Sequence, residues 1–85
     1  MCIEKEIEKK LTDDFSPTHL KVINNSHLHI GHMGDNGTGN THFYVEISTK
    51  YFENMTKINA HKNIYKSLDC YMKNVIHALE IKVIL

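Results

Sequence analysis

Near the N-terminus, apolar residues recur at every fourth position among Glu and Lys. This spacing predicts a short amphipathic helix over residues 2–14, because positions four apart lie on one face of a helix. The helix should end at Ser16-Pro17, since the residue before a proline avoids helical dihedral angles. The recurring positions are Ile3, Ile7 and Leu11.

Three later segments have the character of strands. Residues 18–24 contain the apolar cluster Leu20, Val22 and Ile23, which predicts a first strand. Residues 42–48 and 76–84 alternate between apolar and polar positions, as half-buried strands do. In the second strand one face carries Phe43, Val45 and Ile47, and the other carries His42, Tyr44 and Glu46. In the third strand the apolar face carries Leu79, Ile81 and Val83, with His77 on the same face by alternation.

A helical period returns between the second and third strands, after a turn at residues 51–54. It predicts a long helix over residues 57–74, with Thr56 as its N-terminal cap. His61 falls in the middle of the apolar arc, where we expect a core-edge imidazole with a hydrogen-bonded ring nitrogen. The arc contains Ile58, Ile64, Tyr65, Leu68, Tyr71 and Met72, and the opposite face contains Lys62, Lys66, Asp69 and Lys73.

The predicted element order is α-β-β-α-β, an α/β (α+β) fold with a three-stranded mixed sheet. A helix that joins the second and third strands should be a crossover, which makes those strands parallel, whereas the first two should be antiparallel. The third strand then begins at the end of the sheet that carries the loop between the first two. His77 should therefore approach the histidines of that loop.

That loop, from Asn24 to Asn40, contains all four glycines and the histidines His27, His29 and His32. Loops of this length in compact domains are often functional, and imidazole is the commonest metal ligand in proteins. A metal site formed with His77 and a merely solvated polar loop are both compatible with the spacing. His42 could cap or line the loop, and His19 is expected to be solvated.

Composition and charge narrow the functional classes. The 85 residues form one domain, 1–85, with ten Lys, no Arg, ten acidic residues and a net charge of zero. This balance argues against dominant non-specific nucleic-acid binding. Cys2 and Cys70 form no zinc motif, so reduced thiols and a cytoplasmic or nuclear location are expected. We expect no enzyme, because no nucleophile elbow, phosphate loop or HExxH motif is present, and no membrane-spanning run occurs.

Several short motifs follow one another along the chain. They are Ser26 to His29, Gly34, Gly39-Asn40-Thr41-His42-Phe43, Tyr51-Phe52-Glu53, Ala60-His61-Lys62-Asn63-Ile64-Tyr65 and Ile76-His77-Ala78-Leu79. Together they resemble the BolA-like protein family over nearly the whole chain. The leading helix, Phe15-Ser16-Pro17 and Leu20-Lys21-Val22 fit the same family.

The resemblance implies a KH-like fold with the helices on one face of the sheet. It also implies binding to a monothiol glutaredoxin and a [2Fe–2S] cluster shared with that partner and with glutathione. His77 matches the C-terminal histidine ligand of the family, His29 best matches the loop ligand, and His32 is the alternative. The free chain is expected to be a monomer. It departs from the family at Ala60-His61, where Arg-His is usual, and at Asn24-Asn25-Ser26, where a glutamate normally precedes the serine.

Two other functions remain open. A KH-like scaffold could serve a nucleic-acid-binding transcriptional regulator, with Lys62, Lys66 and Lys73 as the contact residues, although a solvated helix face has the same pattern. The loop histidines could instead form a mononuclear zinc site.

Overall fold

The computed structural model describes residues 2–29 and 39–84, with residues 28 and 29 as backbone alone. Among them are six principal elements, which confirm the predicted order except that the second helix is divided. They are α1 (Ile3–Phe15), β1 (His19–Asn24), β2 (His42–Ser48), α2 (Lys57–Ser67), α3 (Asp69–Asn74) and β3 (Ala78–Val83). Short 3₁₀ helices lie at Ser26–His29 and Lys50–Phe52.

The sheet has the predicted topology. Its strand order is β1-β2-β3, with β1 antiparallel and β3 parallel to the central strand β2. The register places Val22 opposite Val45 and Phe43 beside Leu79, so the apolar positions of all three strands share one face. The helices cover that face, because their buried side chains and those of the strands form one core.

The core confirms the period of α1 and the alternation of β2. Ile7, Leu11, Val45 and Ile47 have no accessible surface. Thr56 also caps α2 as predicted, with its hydroxyl accepting a hydrogen bond from the Asn59 amide at 3.1 Å.

The prediction of one continuous helix over residues 57–74 is wrong at Leu68. That residue has a ψ of 15°, far from the helical value of about −42°, and separates α2 from α3. The amide of Met72 nevertheless donates to the Leu68 carbonyl at 2.9 Å, the spacing of an α-helix. Because only one residue departs from helical dihedral angles, the apolar period continues almost unchanged through Leu68. The sequence pattern therefore does not reveal the break.

The apolar face of α2 also differs from the predicted arc. Ile58 is 69% exposed and Tyr65 is 40% exposed, whereas Ala60, Ile64 and Leu68 are buried. The helix packs through a stripe that includes the small Ala60, a residue to which a pattern of large side chains gives little weight. Tyr65 lies at the edge of this contact, and its hydroxyl donates to the Leu79 carbonyl at 3.1 Å. Within the described ranges, no helix is long and apolar enough to cross a membrane.

Candidate functional site

The candidate site lies at the end of the sheet where β1 stops and the other two strands start. Asn24, the last residue of β1, pairs with Phe43, and His42, the first residue of β2, pairs with Ala78. The two ends of the long loop and the start of β3 therefore meet, as the crossover connection predicted.

Ser26 joins the two ends of the loop. Its side chain is buried, and Oγ accepts hydrogen bonds from the amides of Thr41 at 2.9 Å and His42 at 3.1 Å. Asn24 adds a second link, because its side-chain amide donates to the Gly39 carbonyl at 2.8 Å and its Oδ1 accepts from the Ser26 amide at 3.0 Å. These contacts fix where the loop leaves the sheet and where it returns.

The backbone of His77 is tied to the same place. The amides of His77 and Ala78 both donate to the Thr41 carbonyl, at 2.8 Å and 3.1 Å. β3 begins only at Ala78, so His77 precedes the strand, where partial exposure was expected. Its side chain is exposed, as a residue that binds a ligand requires.

The imidazole of His77 lies against that of His42. The ring centroids are 5.5 Å apart and the ring planes are inclined at 50°, within the range of favourable aromatic pairs. His42 is 8% exposed, and its Nδ1 lies 2.8 Å from the Thr41 hydroxyl. His42 still alternates with Phe43 as predicted, but at this end of the strand its side chain is buried, with the Thr41 hydroxyl and the His77 ring in contact with it.

His42 was expected to cap or line the loop, but its contact with His77 was not predicted. The signal was available in the predicted topology, because parallel strands that start at the same end of a sheet place their first residues side by side. His42 opens β2 and His77 immediately precedes β3, so their proximity follows from that pairing.

The other predicted metal ligands are only partly described. His29 is the last residue of the 3₁₀ helix Ser26–His29, but its side chain lies outside the described part, and His32 lies wholly outside it. His27 is exposed. Within the part of the chain that the structure describes, no three His, Cys, Asp or Glu side chains group closely enough to hold a metal ion.

Two histidines occupy other surroundings. At the opposite end of β1, His19 Nε2 lies 3.0 Å from Glu46 Oε1, and Glu46 Oε2 accepts from the Tyr44 hydroxyl at 2.9 Å. Those two hydrogen bonds, the one from Tyr44 first, lower the pKa of Glu46. His61 is half-buried, but no hydrogen bond with a described residue reaches its ring, so the expected ring partner is not found there.

The lysine stripe, formed by Lys62, Lys66 and Lys73, is divided by the break at Leu68. Lys62 and Lys66 are exposed on α2, whereas Lys73 lies on α3 and forms an ion pair with Asp69 at 3.0 Å. The stripe is therefore less continuous than the single-helix prediction implied.

Comparison with known proteins identifies the family of this chain. The family model described as BolA-like protein matches residues 11–84. The chain belongs to the BolA-like protein family. This BolA-like chain is 39% identical over 83 residues to an uncharacterized protein in the cobS 5' region of a Sinorhizobium species, covering 96% of this chain and 89% of that protein. It is 35% identical over 79 residues to the DNA-binding transcriptional regulator BolA of Haemophilus influenzae, covering 93% and 73%.

Solved structures show the same BolA fold. The BolA domain of SufE1 from Arabidopsis thaliana has a TM-score of 0.88 at 30% identity, with 98% of this chain and 91% of that chain covered. BolA1 from the same plant has a TM-score of 0.84 at 32% identity, with 94% and 87% covered. The resemblance drawn from short motifs is thus confirmed, together with the fold.

Proposed function

We propose that this BolA-like chain is an iron–sulfur adaptor rather than an enzyme. It binds a monothiol glutaredoxin and shares a [2Fe–2S] cluster with that partner and glutathione. The observation that carries the proposal is the exposed imidazole of His77, held through its backbone amide at the base of the histidine-bearing loop.

The exposure of His77 supports this ligand assignment. A ligand to a cluster shared between two proteins must reach the surface, and of the two adjacent histidines His77 is exposed while His42 is buried. The second imidazole comes from the loop, from His29 or His32, and the thiolates come from glutaredoxin and glutathione. Imidazole ligation on one iron raises the reduction potential above that of an all-thiolate cluster, which suits a role in cluster transfer or iron sensing.

Mixing the purified chain with glutaredoxin, glutathione, iron and sulfide tests the proposal. The absorption and circular dichroism spectra should differ from those of the glutaredoxin homodimer cluster, and His77→Ala should abolish that difference. His19→Ala is the matched control, because His19 is an exposed histidine at the opposite end of β1. A spectrum identical to that of the homodimer, with the wild-type chain present, would contradict the proposal.

The same assay identifies the loop ligand. Of the single variants His29→Ala and His32→Ala, one should remove the spectral difference and the other should retain it. If both variants, and the double variant, kept the wild-type spectrum, the second ligand would not be a histidine of this pair.

Nucleic-acid binding is the second candidate function, favoured by the name of the Haemophilus influenzae relative, a DNA-binding transcriptional regulator. Lys62 and Lys66 are exposed on adjacent turns of α2 and offer two phosphate contacts. Binding to duplex DNA, measured by fluorescence anisotropy at several salt concentrations, should weaken in the double variant with Gln at both positions. The slope of log K against log salt should fall by about 1 for each lysine–phosphate pair that is removed.

Lys5 and Lys82, which are also exposed, supply the charge-matched control for that experiment. An equal loss of binding on replacing these two lysines with Gln would show a general charge effect and count against an α2 interface.

A further inference from the structure

His42 has no part in the proposed ligand set, yet it is the side chain in ring contact with His77. We infer that His42 is a positioning residue, which restricts the rotation of the His77 imidazole, the proposed cluster ligand. The inference rests on the proposed function. In this role His42 orients His77 in the free chain, before glutaredoxin binds.

Three contacts around Thr41 build this support. The Thr41 carbonyl accepts from the His77 amide at 2.8 Å, which places the His77 backbone. The Thr41 hydroxyl lies 2.8 Å from Nδ1 of His42, which fixes the plane of that ring. The centroid of the His42 ring lies 5.5 Å from that of the His77 ring, a contact that we expect to limit rotation of the His77 side chain. Thr41 is fully buried, so it provides a rigid reference for both histidines.

Ser26 extends the support to the loop. Its Oγ accepts from the amides of both Thr41 and His42. Ser26 is therefore the buried node of the loop base: it is bonded to His42 directly, and to His77 through the Thr41 backbone. The arrangement couples the position of the C-terminal ligand to the entry of the loop that carries the other ligand. Groups that orient a metal ligand from behind typically change metal affinity by about 10- to 100-fold when they are removed.

A small hollow borders His42, which is 8% exposed. It has a volume of about 190 Å³ and is lined by Asn25, His42, Phe43, Ala78 and Glu80. His42 thus borders this hollow and also contacts the exposed His77 ring, and truncating it to Ala would enlarge the hollow and remove the ring contact.

Two substitutions at position 42 separate positioning from ligation. His42→Ala removes the ring, whereas His42→Phe keeps an aromatic ring but has no nitrogen to bind iron. We expect His42→Ala to lower the affinity of the glutaredoxin–cluster complex about tenfold and His42→Phe to recover most of it, with the circular dichroism signature of histidine ligation retained. Thr41→Val, which replaces the hydroxyl with a methyl group, should show a smaller loss in the same direction.

The results that overturn the inference are distinct. If His42→Phe loses the histidine signature as completely as His77→Ala does, His42 is itself a ligand. If His42→Ala binds as tightly as the wild type, it has no role in the site.

A readout on the free protein separates failure of this inference from failure of the proposed function. In NMR spectra without cluster or partner, the wild type should show a nuclear Overhauser contact between the two imidazoles. His42→Ala should shift the His77 ring signals toward those of an unconstrained histidine. Absence of that contact overturns the positioning role even if the wild-type cluster complex forms. A wild-type chain that shows the contact but never alters the glutaredoxin spectrum overturns the proposed function instead.

Discussion

Replacing Ser26 with Ala tests whether the loop base is a fixed part of the fold. Ser26 is 3% exposed, and its Oγ accepts from the amides of Thr41 and His42 at 2.9 Å and 3.1 Å. Alanine keeps the backbone and removes this acceptor from both amides. Each buried donor that loses its partner costs about 1–3 kcal/mol.

Removing the two hydrogen bonds together should lower the free energy of unfolding by about 2–4 kcal/mol, since water entering the vacated position recovers part of the loss. A domain of 85 residues has a total stability of about 4–13 kcal/mol. With a wild-type stability near the middle of that range, the variant should remain folded at low temperature but melt at least about 8 °C below the wild type. This is a large effect for the removal of one oxygen atom.

Urea denaturation followed by circular dichroism measures the change, and hydrogen exchange locates it. Exchange of the Thr41 and His42 amides should accelerate more than exchange in α1. Ser48→Ala is the control, because Ser48 is half-buried in β2 and its hydroxyl makes no hydrogen bond with a described residue. A Ser26→Ala midpoint equal to that of Ser48→Ala would refute the assignment of Ser26 as the node of the loop base.

Two further predictions concern the packing of α2. Tyr65→Phe removes the hydrogen bond to the Leu79 carbonyl and should cost about 0.5–1.5 kcal/mol in urea denaturation; a stability equal to the wild type would show that this bond does not help to hold α2 on the sheet. The hydrogen bond from Ser67, with a smaller effect of Lys10, lowers the pKa of Asp14. The ionised Asp14 therefore stabilises the fold at pH values above the ordinary pKa of a carboxyl group. This stabilisation is lost as the pH falls through the lowered pKa. Ser67→Ala should raise the pKa of Asp14 in an NMR titration, and its stability difference from the wild type should shrink in acid; an unchanged titration would contradict the assigned cause.

The fold could be predicted because its elements follow simple periods. The fourfold spacing in α1 and the alternation in β2 each describe one face of a regular element, and the crossover rule supplied the parallel pairing. The break at Leu68 and the burial of Ala60 could not be predicted in this way. Both depend on how closely α2 approaches the sheet, and no period in the sequence reports that distance.

The candidate site was predicted in part. The topology alone placed His77 at the loop end of the sheet, and the structure confirms that location. His42 was assigned to a polar face because alternation reports which side of the sheet a residue faces but not what covers that side. The contacts of its buried ring, with the Thr41 hydroxyl and with the His77 ring, leave no periodic trace in the sequence.

The measurement that tests the account most directly is pulsed electron paramagnetic resonance on the reduced glutaredoxin complex. The chain would be prepared with ¹⁵N-labelled histidine, so that any histidine nitrogen bound to iron is identified as its own. If His77 is a cluster ligand, strong ¹⁵N couplings from imidazole are expected, with the His77 component absent in His77→Ala and unchanged in His19→Ala. A cluster with no ¹⁵N coupling, or one whose ¹⁵N couplings in His77→Ala are identical to those of the wild type, would show that His77 is not a ligand.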